Sequence, residues 1–160
     1  MPTSDSIKVQ QDSVIKLVDG AGTELTVPYV DGAASLDGFN YDQTEPITIY
    51  AKRTFLGVRR GAYRPVSFSF TAFMSEFTSA TATSLVDFVR FTNAFSANTS
   101  THAASDYKIM RIKFQIAAIG DDATVGEVAL DQCILDVSFA EGEPNQFTVS
   151  GTCLGGFTVL

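Results

Sequence analysis

Two runs near the end of the chain alternate between apolar and polar positions with a period of two. Cys133, Leu135, Val137 and Phe139 alternate with Gln132, Asp136 and Ser138. Phe147, Val149, Gly151 and Cys153 alternate with Gln146, Thr148, Ser150 and Thr152. The turn signal Glu141-Gly142-Glu143-Pro144-Asn145 lies between them. An odd-length loop centred near Glu143 sets Phe139 opposite Phe147, Val137 opposite Val149 and Cys133 opposite Cys153. One face of this hairpin is then apolar. The other carries Asp136, Ser138, Thr148, Ser150 and Thr152, with Ile134 as the apolar exception. A slip of one residue would set apolar against polar side chains, so the pattern specifies its register.

The same period recurs upstream. Val66 to Phe73 alternates Phe68 and Phe70 with Ser67, Ser69 and Thr71. Tyr107 to Ile119 reads as a long strand with Ile112, Phe114 and Ile116 inward and Arg111, Lys113 and Gln115 outward. Gly120 to Gly126 turns it back into a strand over Glu127–Phe139. Val14–Val18 and Glu24–Val30 read as strands around the turn at Asp19-Gly20-Ala21-Gly22. Ile47–Arg53 is a further strand inside a long loop or extension over 31–64, which opens with Gly- and Asp-rich sequence. The period changes to that of a helix over about 83–95, where Leu85, Phe88, Val89, Thr92 and Phe95 share a face. Thr81 and Thr83 are the candidate N-caps.

These elements predict a mainly β protein: an antiparallel sandwich or partial barrel with one packed helix. The four longest strands (66–73, 107–119, 127–139 and 146–153) are expected to form one sheet. Its apolar side is expected to lie under the helix and the shorter N-terminal strands.

Composition narrows the picture. At 160 residues the chain reads as one domain, able to bury roughly 70% of its unfolded surface. Residues 1–12 read as a flexible polar arm. No signal peptide is apparent at the start, and the uncharged run from Pro144 to Leu160 is too short and polar for a spanning helix. The net charge of -7 disfavours a dedicated nucleic-acid binder.

Catalytic and metal signals are weak. Gly151-Thr152-Cys153-Leu154-Gly155 has the spacing of a nucleophile elbow, but that motif needs a helix and acid and histidine partners after it. A terminal strand flanked by glycines is the simpler reading. His102, the one histidine, stands in a Ser/Thr/Ala loop and reads as solvated. Asp121-Asp122 and Glu141/Glu143 read as acidic turns rather than cation sites. Asn98-Thr99-Ser100 matches a glycosylation sequon without a secretory signal. No metal or cofactor is implied. Cys133 and Cys153 are either two buried thiols, the reading favoured for a reducing compartment, or a cross-strand disulfide.

The clearest charged feature is the stretch 52–64. It holds Lys52, Arg53, Arg59, Arg60 and Arg64 and no acidic residue, leaving six basic against eighteen acidic side chains elsewhere. A solvated hairpin is one reading. The other is contact with an acidic patch on a second copy, a head-to-tail association that builds rings or filaments.

Taken together, the pattern resembles the major tail tube proteins of long-tailed bacteriophages. The resemblance rests on the early Asp19-Gly20 turn, the insertion at 31–64, and the order of strand, helix and two long hairpins. Its most specific part is the ending, Leu135-Asp136-Val137-Ser138-Phe139-Ala140-Glu141-Gly142-Glu143-Pro144 followed by Ser150-Gly151-Thr152-Cys153. Type VI secretion tube proteins share this fold.

The resemblance implies a non-enzymatic structural subunit forming stacked hexameric rings. Each subunit would give four strands to a continuous inner barrel. Asp136, Ser138, Thr148, Ser150, Thr152, Ser67, Ser69 and Thr71 would line its lumen, and Arg111 and Lys113 would pair with Asp136 or Asp131. Lys52, Arg53, Arg59, Arg60 and Arg64 would stack one ring on the next. It further implies tail terminator, tape measure and distal tail proteins as partners, DNA passing through without specific binding, no membrane partner, and a virion tail assembled in the host cytoplasm. The alternatives are a secretion-type tube, a ligand-binding β-barrel and, most remotely, a hydrolase using Cys153.

Overall fold

The computed structural model describes residues 13–27, 34–38, 42–74, 84–116 and 126–160. The expected arm at 1–12, the caps Thr81 and Thr83, and the Asp121-Asp122 turn lie outside them. The chain is mainly β, as its alternation predicts. Its strands are β1 (Ser13–Val18), β2 (Glu24–Val27), β3 (Ser35–Asp37), β4 (Thr44–Ala51), β5 (Thr54–Tyr63), β6 (Val66–Phe73), β7 (Met110–Ile116), β8 (Gly126–Ala140), β9 (Gln146–Cys153) and β10 (Phe157–Val159). One short helix, α1 (Leu85–Arg90), follows β6.

Eight strands make one antiparallel sheet in the order β2-β1-β7-β8-β9-β6-β3, with β10 also on β8. The four longest predicted strands are consecutive in it. Strands β4 and β5 form a separate two-stranded sheet. The long sheet curls around its own apolar side. Ile15, Leu17, Leu25 and Val27 from one end share a core with Val66, Phe68 and Phe70 from near the other.

The register of β8 on β9 is the one the alternation demands. Cys133 pairs with Cys153, Val137 with Val149 and Phe139 with Phe147. On the partner side of β9, Val66 to Phe73 pair in step with Cys153 to Gln146. The inward set Val66, Phe70, Val149 and Cys153 is wholly enclosed. At roughly 1.5–3 kcal/mol per large apolar side chain, a one-residue slip would forfeit most of that burial.

One break in alternation was not expected. Met110 pairs with Cys133 but Ile112 pairs with Leu130, so β8 carries one extra residue at Asp131-Gln132. Gln132 takes the left-handed conformation (φ 54°). This bulge lets Leu130 and Cys133, three apart, both face the core.

The helix is shorter than its periodicity suggests. Phe91 adopts a left-handed conformation (φ 56°) and ends it. The buried Asp87 carboxylate then accepts hydrogen bonds from Thr92 Oγ1 (2.9 Å) and Asn93 Nδ2 (2.8 Å). Phe95 still reaches the core, from a single 3-10 turn, with its ring edge-on to Phe88 at 4.9 Å.

Within the extension at 31–64 the described residues form three strands. Ser35–Asp37 adds β3 to the free side of β6. Thr44 to Tyr63 is a hairpin closed by the two-residue turn Lys52-Arg53, both with positive φ (47° and 67°). That is the turn geometry that suits the twist of two strands.

Candidate functional site

Three strands bring the eight predicted polar residues onto one face. Ser67 lies beside Thr152, Ser69 beside Ser150 and Thr71 beside Thr148. On the other side of β9, Ser150 lies beside Asp136 and Thr148 beside Ser138. Ile134 shares the row of Thr152, as its parity predicted. These side chains are exposed or half-buried, while their alternate neighbours form the core. Ser138 Oγ donates to the Thr148 carbonyl across the ladder (3.4 Å).

Strand β3 extends this face in a way the sequence reading missed. Ser35 pairs with Ser69 and Asp37 with Ser67, while Leu36 pairs with Phe68 on the apolar side. Continuous rows therefore run Asp37–Ser67–Thr152–Ile134 and Ser35–Ser69–Ser150–Asp136. Only a three-residue alternation signals β3, too short to stand out of Gly- and Asp-rich sequence. The face is small and hydroxylated, with carboxylates on its two outer strands. Such a surface is well hydrated and offers no cation to a phosphate.

Gly151 is the pivot behind this face. A Cβ there would lie 2.0 Å from the Ile134 carbonyl oxygen and 2.7 Å from Phe68 Cζ. Only glycine permits that approach.

Among the described residues, two strand edges beside the face lack a full ladder partner. β7 pairs with β8 only as far as Cys133, so Ile134–Ala140 has a partner on the β9 side alone among the described residues. β3 covers β6 only at Ser67–Ser69.

The basic residues sit on the β4–β5 hairpin. Lys52 and Arg53 form its tip, and Arg64 follows its base, where its N–H donates to the Gln43 carbonyl (2.7 Å). Arg59 lies opposite Ile47 and Arg60 opposite Pro46, so the two arginines project from opposite faces. Arg60 Nε bonds Asp42 Oδ2 at 2.6 Å. Thr44 and then Arg60 hold the Asp42 carboxyl below the usual carboxylate range.

No residue of β4 or β5 is buried. Tyr50, Phe55, Leu56 and Val58 are between 55% and 63% exposed. The charges of this segment are legible in the sequence; its exposed apolar surface is not. Phe55, Leu56 and Val58 occupy both parities, so no single apolar face marks the strand.

Arg111 pairs with Asp131, one of its two expected partners. Lys113 instead bonds Glu24 (2.9 Å), which also holds Lys16 (3.2 Å). Asp136 lies on β8 beyond the reach of β7, which begins at Met110 and so pairs no further along β8 than Cys133. Lys113 first, then Lys16, draws the Glu24 carboxyl below its ordinary value.

The remaining candidates stay apart. His102 is exposed in its loop, and Glu141 and Glu143 are exposed at the tip of the β8–β9 hairpin. Cys153 ends a strand, is enclosed, and leads into β10 rather than a helix, so the elbow geometry is missing. Among the described residues no group of three or more His, Cys, Asp or Glu could hold a metal ion. No helix among them is long and apolar enough to cross a membrane. Comparison with protein families and with curated proteins finds no match to this chain.

Proposed function

We propose that this chain is a self-assembling structural subunit of a phage-like tail tube, acting without catalysis. Hexameric rings stack into a hollow conduit whose hydrophilic lumen passes DNA during ejection. The observation that carries this reading is the arrangement of β8, β9, β6 and β3. They alternate in direction and present one small polar face, with open edges at its sides. Because their number is even, a copy related by rotation sets its β8 beside this β3 in antiparallel sense. Repetition closes the edges into a barrel and turns the polar face inward. Asp136, Ser138, Thr148, Ser150, Thr152, Ser67, Ser69 and Thr71 then line the lumen, joined by Ser35 and Asp37. Six copies at -7 each repel a polyanion, so DNA slides without adsorbing.

The β4–β5 hairpin supports stacking. A two-stranded hairpin with no enclosed residue is marginal alone in water. Its apolar side chains gain burial, and Lys52, Arg53, Arg59, Arg60 and Arg64 gain acidic partners, against the adjacent ring. Terminator, tape measure and distal tail proteins would complete the particle.

Negative-stain microscopy of the purified full chain tests the reading. Rings or tubes with an open lumen are expected. A strictly monomeric species at high concentration overturns it. Tubes found carrying protein rather than DNA would favour the secretion-type alternative.

A further inference from the structure

The two cysteines are the nucleophilic groups that the tube reading leaves unused. Cys133 and Cys153 are direct partners across the β8–β9 ladder, and both are wholly enclosed. Just beyond them the Leu154 N–H donates to the Gln132 carbonyl (3.0 Å). That bond flanks a non-hydrogen-bonded pair, the position where opposed Cα atoms approach to about 4.5 Å and side chains come closest. A disulfide spans Cα separations of about 4.4–6.8 Å. The thiols are free, with Cys133 Sγ against the Leu130 carbonyl (3.4 Å) and Cys153 Sγ against those of Asp131 (3.0 Å) and Gly156 (2.8 Å).

We propose that Cys133 and Cys153 are a latent disulfide site, which a small two-electron oxidant closes across the existing register. The route in lies next to Cys153. Leu154 and Gly155 are exposed, and Gly156 has positive φ (83°). Opening of this short glycine segment exposes the Cys153 sulfur without unpairing β8 from β9. Cys153 is also the first nucleophile. That opening uncovers its sulfur first, while contact with Cys153 and burial hold the Cys133 thiol up.

With a diazene as oxidant, the Cys153 thiolate adds to one nitrogen of the N=N bond. Cys133, losing its proton, then attacks the Cys153 sulfur. The S–S bond forms as the S–N bond breaks. The two thiols lose two electrons, and the diazene leaves as a hydrazine carrying two protons.

The test treats the folded full chain with diamide, blocks residual thiols with iodoacetamide in denaturant, and measures intact mass and a non-reducing peptide map. The expected product has lost the mass of two hydrogen atoms, takes no alkyl group, and links the Cys133 and Cys153 peptides within one chain. Dithiothreitol reverses it. Closure should raise Tm by on the order of 5–10 °C, since it constrains the unfolded chain. Cys153→Ala and Cys133→Ala should each abolish that rise; the wild-type mass result needs neither variant to fold. Two alkylated thiols after treatment, or only intermolecular links, would overturn the proposal. A bond that forms yet lowers Tm would overturn its second half, that the native register is the one fastened.

Discussion

The two sheets of this protein solve the same problem in opposite ways. In the eight-stranded sheet alternate side chains of β6, Val66, Phe68, Phe70 and Ala72, are withdrawn from water, and Phe70, Val66 and Val149 have no exposure at all. In the β4–β5 hairpin nothing is withdrawn, and Leu56 is 63% exposed. Backbone pairing is continuous in both apart from local register shifts. Hydrogen bonding therefore does not distinguish them; burial does. A net backbone hydrogen bond contributes only about 0.5–1.5 kcal/mol, whereas enclosing a large apolar side chain contributes about 1.5–3 kcal/mol. The first sheet is stable by its own packing, and the second leaves its apolar side chains in water.

The largest test of this contrast pairs one truncation from each sheet. Phe70→Ala should cost about 3–5 kcal/mol in denaturant unfolding. Leu56→Ala should change the unfolding free energy of the unassembled chain by less than about 0.5 kcal/mol and, under the tube reading, should weaken assembly. Comparable losses from both in the monomer would erase the distinction. Gly151→Val probes the core-backed face from behind. It forces a side chain against the Ile134 carbonyl and Phe68, at an expected cost of about 1–3 kcal/mol in the same assay. An unchanged midpoint would mean that the ladder yields there.

The hairpin charges come next. Arg59→Glu with Arg60→Glu should leave folding within about 1 kcal/mol, because the Arg60–Asp42 pair is solvent-screened. Under the tube reading, sedimentation and microscopy should show shorter assemblies than wild type. Unchanged length and salt sensitivity would remove these arginines from the interface.

The smallest effect concerns Glu24. Lys113 and Lys16 lower its folded pKa, so its contribution is present at neutral pH and fades as pH falls below about 4.3 and through the folded value. Its side chain is 36% exposed, so screening leaves about 0.5 kcal/mol. Glu24→Gln should lower stability at pH 7 by that amount and match wild type in acid, measured by thermal unfolding across pH. A difference that persists in acid would assign the loss to packing.

The same contrast explains what could be read from sequence. The β8–β9 register was legible because a fixed turn and strict alternation agree over both strands. The polar face was legible for the same reason at Ser67, Ser69 and Thr71. β5 was not, because Phe55, Leu56 and Val58 sit on both parities and nothing covers them. β3 offered three residues, too few for a period. The helix end at Phe91 depends on a left-handed backbone and on Asp87 reaching Thr92 and Asn93, contacts that residue spacing does not announce. The bulge was hidden because each half of β8 alternates correctly on its own.

That bulge has a consequence for how variation along β8 should be sorted. Before it, the even-numbered Val128 and Leu130 belong to the core; after it, the odd-numbered Cys133, Leu135 and Val137 do. A mutational scan binned by parity over the whole strand would average two opposite tolerance profiles into a flat one. Read in two frames joined at Asp131-Gln132, the same scan should give two sharp profiles. Deleting Gln132 should scramble one of them, as a lost letter scrambles the message after it.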